Sequence, residues 1–128
     1  MLEYSLLEAQ RKVLTLQTYM DKHIREPLRL DDLAAAVSVS KFHFARVFKR
    51  LTGETPMRVF RRRKVLAIDA LLQSDPSVNV TDLAFEFGYS SSSVLTREFR
   101  EFLDCMPRTC KVSFQEEESK KLLKLSKN

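Results

Sequence analysis

Glycine and proline are scarce, at 2 and 4 of 128 residues. A sheet protein built on tight turns and a disordered chain both use more of them, so neither class fits. Cysteine is as rare. The pair present, Cys105 and Cys110, has neither CxxC nor zinc-ligand spacing, and reads as two ordinary thiols in a reducing cytosol. No apolar run approaches the length of a membrane span. Met1 leads into the acidic, broken stretch Leu2-Glu3-Tyr4 rather than a secretory signal, so a cytoplasmic protein off the membrane is expected. The two histidines, His23 and His43, fall on different helical stretches. There is no paired acid and base, no Cys/His arrangement and no glycine loop to cradle phosphate. Nothing here supports an enzyme, a metal centre or a cofactor.

What is present is apolar material patterned for helices. The chain is 44% hydrophobic and 30% charged, with formal net charge +5. That basic balance suits a polyanionic partner, although many soluble proteins share it. Leu6, Ala9, Val13, Leu16, Met20 and Ile24 recur at three- and four-residue steps, predicting an amphipathic helix over about 5–25 that Pro27 ends. Asp31 or Asp32 caps a short helix through Leu33-Ala34-Ala35-Ala36, and Val37-Ser38-Val39 turns. Ser40 caps a helix with Phe44, Val47, Phe48 and Leu51 on one face, which Gly53 ends in a left-handed conformation. Pro56 opens a long helix to about Ser74. Thr81 or Asp82 caps a short helix to Phe87, Gly88 turns, and Ser90 or Ser91 starts a helix that Pro107 stops. The tail beyond Phe114 reads as frayed or as a short solvated helix.

The chain also repeats itself. Leu30, Leu33, Ala34 and Val37 return fifty positions later as Val80, Leu83, Ala84 and Phe87. Past the turns the offset is 51, and Phe44, Arg46, Phe48 and Pro56 return as Leu95, Arg97, Phe99 and Pro107. The slip falls at a turn, where an insertion costs least. Each copy is a short helix, a tight turn and a longer helix, too small to carry its own core. The first copy leans on the helix at 5–25, the second on residues 108–114. Taken alone, the repeat is either a pair of helix-turn-helix units or a duplicated helical hairpin with no nucleic-acid role.

Several segments decide between these. They are Leu30-Asp31-Asp32-Leu33-Ala34, the run Ser40 to Lys49, Thr52-Gly53-Glu54-Thr55-Pro56 and Arg61-Arg62-Arg63-Lys64, then Leu83 to Ser90 and Thr96-Arg97-Glu98-Phe99-Arg100. Together, over roughly residues 8 to 114, they resemble the AraC/XylS family of bacterial transcription regulators. The resemblance implies an all-α fold of about seven helices, with two helix-turn-helix subdomains joined by a long linker helix. The expected divisions are 1–55, 56–75, 76–114 and a charged tail at 115–128. It further implies a monomer on double-stranded DNA with two recognition helices in successive major grooves, about 34 Å apart along the axis. RNA polymerase is the implied second partner, activation the implied outcome and the nucleoid the implied place. Most members carry an effector-binding domain as well. This chain has the size of members without one, and both a stand-alone activator and a piece of a longer regulator stay open.

By position in the motif, Phe42, Ala45 and Arg46 of the first recognition helix face bases. Arg46 leads, because a guanidinium fork pairs with guanine O6 and N7; a stacked or core-facing arginine is the alternative. Phe42 stands where relatives often carry Trp, and Ala45 where they carry Gln, so both can contact only a thymine methyl. Lys41, Lys49, Arg50 and Arg61, Arg62, Arg63 and Lys64 are expected on phosphates, with Ser40. His43 is a phosphate or backbone contact, or equally a solvent-facing side chain. In the second helix Ser92, Ser93 and Arg97 take the base positions, and Ser91, Thr96 and Arg100 the phosphate positions. The serine run also suits capping and phosphate binding through free N–H groups.

Charge makes the two halves unequal. Lys41 to Lys64 holds 9 basic residues and 1 acidic; Thr81 to Lys111 holds 4 and 5. Glu98 and Glu101 are expected on the DNA side of the second helix, where they repel phosphate. The first unit should therefore anchor the protein. The competing reading is an interaction module that keeps the fold without operator binding and acts on another regulator or on polymerase.

Overall fold

The computed structural model describes residues 2–37 and 40–110. Six helices run through them: α1 Leu2–Lys22, α2 Leu30–Ala36, α3 Lys41–Thr52, α4 Pro56–Ser74, α5 Val80–Glu86 and α6 Ser92–Leu103. No strand occurs among the described residues. The all-helical expectation holds. The closing helix expected over 108–114 lies mostly outside the described residues, and its first positions form a turn, with Thr109 N–H on the Met106 carbonyl at 3.0 Å.

Local chemistry sets the helix ends. Ser40 and Ser91 cap α3 and α6, each hydroxyl accepting the third helical N–H, from His43 and Val94, at 3.4 Å. Two caps differ from expectation. α2 begins at Leu30, and the Asp32 carboxylate reaches back to accept the Arg29 N–H at 2.8 Å. Asn79, not Thr81 or Asp82, caps α5, its Oδ1 accepting the Asp82 N–H at 3.0 Å. In both cases the aspartate acts from inside the first turn, where its charge also favours the helix dipole. Gly53 ends α3 at φ 81°. A Cβ there would meet nothing within 4 Å, so the backbone angle rather than space requires glycine.

The chain forms two compact units, Met1–Arg63 and Lys64–Asn128, and the boundary falls inside α4. The first buries Leu16 and Met20 of α1 with Leu33, Ala34, Val37, Phe44, Phe48, Val59 and Phe60. The second buries Val65, Ile68 and Leu72 of α4 with Leu83, Ala84, Phe87, Leu95 and Phe99. The repeat is thus written in the core. Leu33, Ala34, Val37, Phe44 and Phe48 are buried, and so are all five of their counterparts. Neither helix pair closes alone: α1 and the start of α4 cover the first, and the rest of α4 supports the second.

The cysteines correct the sequence reading. Cys105 and Cys110 are joined in a disulfide, with Cα atoms 5.5 Å apart. The loop closes through a left-handed residue inside it, Arg108 (φ 74°), while Asp104 (φ 56°) turns the chain at the end of α6. Between them Thr109 Oγ1 accepts the Met106 N–H at 3.0 Å. Spacing alone misses such a loop because its closure depends on the left-handed turn at Arg108. Reduction, or Cys105→Ser with Cys110→Ser, should destabilise the second unit by about 2 kcal/mol, the loop-closure entropy of so short a ring. Guanidinium unfolding with and without dithiothreitol measures this, and the double serine variant should show no response to the reductant.

Candidate nucleic-acid interface

On α3 the buried positions are Phe44 and Phe48. One turn of arc away, Phe42, Ala45, Arg46 and Lys49 share the opposite stripe at helical spacing. Phe42 is 75% exposed. Arg46, Lys49, Arg50 and His43 are exposed and Ala45 is half-buried. Lys41 lies beside the Phe42 ring, 5.4 Å from its centroid, and pairs with Asp31 of α2 at 3.4 Å. Among the described residues no carboxylate pairs with Arg46, Lys49 or Arg50. Ser40, at the head of the helix, is exposed and uses its hydroxyl as the cap.

α6 repeats the arrangement with other chemistry. Leu95 and Phe99 face inward, while Ser93, Arg97 and Arg100 are exposed on one stripe. Ser92 is half-buried, and its carbonyl accepts the Thr96 hydroxyl at 3.0 Å, so Thr96 satisfies its own helix. The Arg100 Nε lies 3.2 Å from the Met106 thioether sulfur in the disulfide loop. Glu101 stays exposed. Glu98, expected beside DNA, is 9% exposed and turns inward, where its carboxylate accepts the Tyr89 hydroxyl at 2.6 Å.

The basic run on α4 divides in a way the sequence does not show. Arg62 donates to both carboxylate oxygens of Glu54 at 2.5 Å. Arg58 pairs with the same carboxylate at 3.5 Å. Arg63 grips Asp21 of α1 through Nε and Nη2 at 2.8 and 2.7 Å. These forks tie the start of α4 to the α3–α4 corner and to α1. Arg61 is half-exposed. Lys64, expected on a phosphate, is 7% exposed, and its ammonium donates to the Phe87 carbonyl at 2.8 Å. Burial pushes its pKa down, and the nearby Glu98 charge partly offsets this.

The pairing with Arg62 holds the Glu54 carboxyl below the ordinary glutamate pKa, against the opposing effect of its burial. A lowered folded-state pKa gives stability that is present above the unfolded value and is lost as pH falls through the folded one. Acidification through the carboxylate range should therefore loosen the first unit. Glu54→Gln should flatten that part of the pH–stability curve in urea titrations read on the first unit.

A helix-turn-helix domain family model, HTH_18, matches residues 33–111, which spans both units and more than half of the chain. The chain belongs to the AraC family of helix-turn-helix DNA-binding transcription regulators. Regulatory protein SoxS of Salmonella typhimurium is 31% identical over 98 residues, covering 77% of this chain and 91% of SoxS. Multiple antibiotic resistance protein MarA of Escherichia coli K12 is 28% identical over 102 residues, covering 80% of each. Among solved structures, an AraC-type regulator from Chromobacterium violaceum superposes with TM-score 0.68 at 27% identity, over 77% of this chain and 88% of that one. The DNA-binding domain of AdpA, solved in complex with a target DNA, superposes with TM-score 0.62 at 25% identity, over 72% and 82%. The family match reaches both helices whose exposed stripes are described above.

Proposed function

We propose that this AraC-family chain binds specific operators as a monomer, laying α3 and α6 into successive major grooves, and activates transcription through contact with RNA polymerase. The observation that carries the reading is the pair of exposed stripes, Phe42, Arg46 and Lys49 with the half-buried Ala45 on α3 and Ser93, Arg97 and Arg100 on α6. Each lies opposite the apolar residues that seat its helix. A recognition helix needs this division between a packed face and a free leading end. The likeness to the AdpA DNA-binding domain, solved on DNA, supports the same use.

Within this reading Phe42, Ala45, Arg46, Ser92, Ser93 and Arg97 read base edges. Ser40, Lys41, His43, Lys49, Arg50, Ser91, Thr96 and Arg100 position the phosphates. Arg62 and Arg63 reach phosphate only by sharing or leaving their internal partners, Glu54 and Asp21, and the half-exposed Arg61 is a further phosphate contact. Binding-site selection from genomic fragments at physiological salt tests it. Enrichment of discrete sites with two separated blocks of base preference is expected. Uniformly weak binding to all fragments would transfer the chain to the interaction-module reading.

A further inference from the structure

The second unit contains a polar linkage that DNA contact does not use. Lys64 of α4 donates to the carbonyl of Phe87, the residue that ends α5. Its ammonium lies 5.6 Å from the centroid of the Tyr89 ring, in the turn of the second helix-turn-helix. The Tyr89 hydroxyl donates to Glu98 Oε2 at 2.6 Å, on the inner side of α6. The linkage therefore runs from α4 to the end of α5, through the turn and into α6. Lys64 and Glu98 are both buried, and the Glu98 charge partly offsets the burial of the Lys64 ammonium.

Burying such charges costs desolvation that apolar residues of similar size would avoid, so stability alone is a poor reason to keep them. What they add is direction. A short hydrogen bond to a carboxylate fixes a distance and an angle, whereas apolar packing tolerates sliding. Glu98 directly follows Arg97, and consecutive helical residues point about 100° apart around the axis. Fixing the Glu98 side chain to the turn therefore fixes the rotation of α6, and with it the direction of Arg97. The first unit has no matching carboxylate, because the repeat offset of 51 places Val47 at the position of Glu98.

We propose that Lys64, Tyr89 and Glu98 are positioning residues that set the rotation of α6 and so the base selectivity of Arg97. This rests on α6 being a recognition helix, as proposed above. The test uses the full chain and a duplex enriched by its own binding-site selection. Selection is repeated with Tyr89→Phe, which keeps the ring and loses the hydroxyl, and with Glu98→Gln, which keeps an acceptor. Tyr89→Phe should relax base preference about tenfold at the positions that Arg97→Ala also relaxes. Preferences in the other block should be unchanged, and Glu98→Gln should retain most of the discrimination. The double variant Tyr89→Phe with Arg97→Ala should lose little beyond Arg97→Ala alone, since both act on one contact.

Wild-type discrimination by Tyr89→Phe would overturn the proposal. So would losses that add, or that fall equally on both blocks, as in a unit that is only less stable. If the unaltered chain enriches no site, the recognition reading fails and takes the proposal with it. If sites are enriched but Arg97→Ala relaxes none of their positions, the proposal alone is overturned.

Discussion

Phe48→Ala should cost the first unit about 3–5 kcal/mol, enough to unfold a domain of ordinary stability. Phe48 is 1% exposed and sits where α3 meets the residues of α1, α2 and α4 that close the core. Its ring centroid is 5.7 Å from that of Phe44, a separation at which aromatic pairs attract, so truncation removes a partner as well as volume. The first unit is small, and its helices cannot shift to fill the void without unseating Leu16 and Met20, which are both fully buried. Circular dichroism melts should show either a large fall in midpoint or no folded first unit. Phe42→Ala, two turns earlier on the same helix, is the control. With 75% of the residue exposed, its loss should change stability by less than about 0.5 kcal/mol while weakening DNA binding. Equal destabilisation by the two substitutions would show that α3 is not seated as described.

Periodicity and punctuation are local, and they read well from the sequence. Ser40, Gly53, Pro56 and Ser91 sit where expected because each solves a problem created within four residues of itself: an orphan N–H, a reversal of φ, a missing donor. The repeat read well because both copies face the same burial requirement at matching positions. Three charged side chains were not legible, and they share a cause. Lys64 reads as surface charge because it follows three arginines, yet the helix turns it toward the end of α5. Glu98 reads as a solvated acid because its partner, Tyr89, is nine residues away across a turn. Arg63 finds Asp21 across 42 residues. Charges are assigned to the surface by composition, and only the tertiary path shows which are consumed inside. The Arg62–Glu54 fork was closer to legible, since Glu54 precedes Arg58 by one helical turn and Arg62 by two.

These internal pairings alter the charge argument without removing the asymmetry. Arg62, Arg63 and Lys64 have internal partners, so the excess positive charge of Lys41 to Lys64 is not all available to DNA. What remains on α3 is Arg46, Lys49 and Arg50, with Lys41 shared with Asp31 of α2. On α6 it is Arg97 and Arg100 opposed by Glu101, with Glu98 withdrawn from the surface. If Lys49 and Arg50 each neutralise one phosphate, replacing either by Ala should lower the slope of log affinity against log salt by about 0.9.

Arg46→Ala should weaken operator binding by about 1–3 kcal/mol, roughly 5- to 150-fold, and relax one base position in the block read by α3. The side chain is exposed on the stripe of Phe42 and Lys49, and among the described residues no carboxylate competes for its fork. Its full donor set is free to meet a guanine edge without first breaking an ion pair, which keeps the cost of binding low. Arg97→Ala should cost less. Arg97 stands among serines, which hydrogen-bond several bases without discriminating, and on a helix that also carries the exposed Glu101. Binding measured across a salt series separates the two, since loss of a base contact leaves a change in sequence preference that persists at high salt. A larger loss from Arg97→Ala than from Arg46→Ala would place the anchoring contact on α6 and reverse the asymmetry. The shortage of free cations there would then have to be met by bending of the duplex, whose cost depends on sequence at positions the protein does not touch.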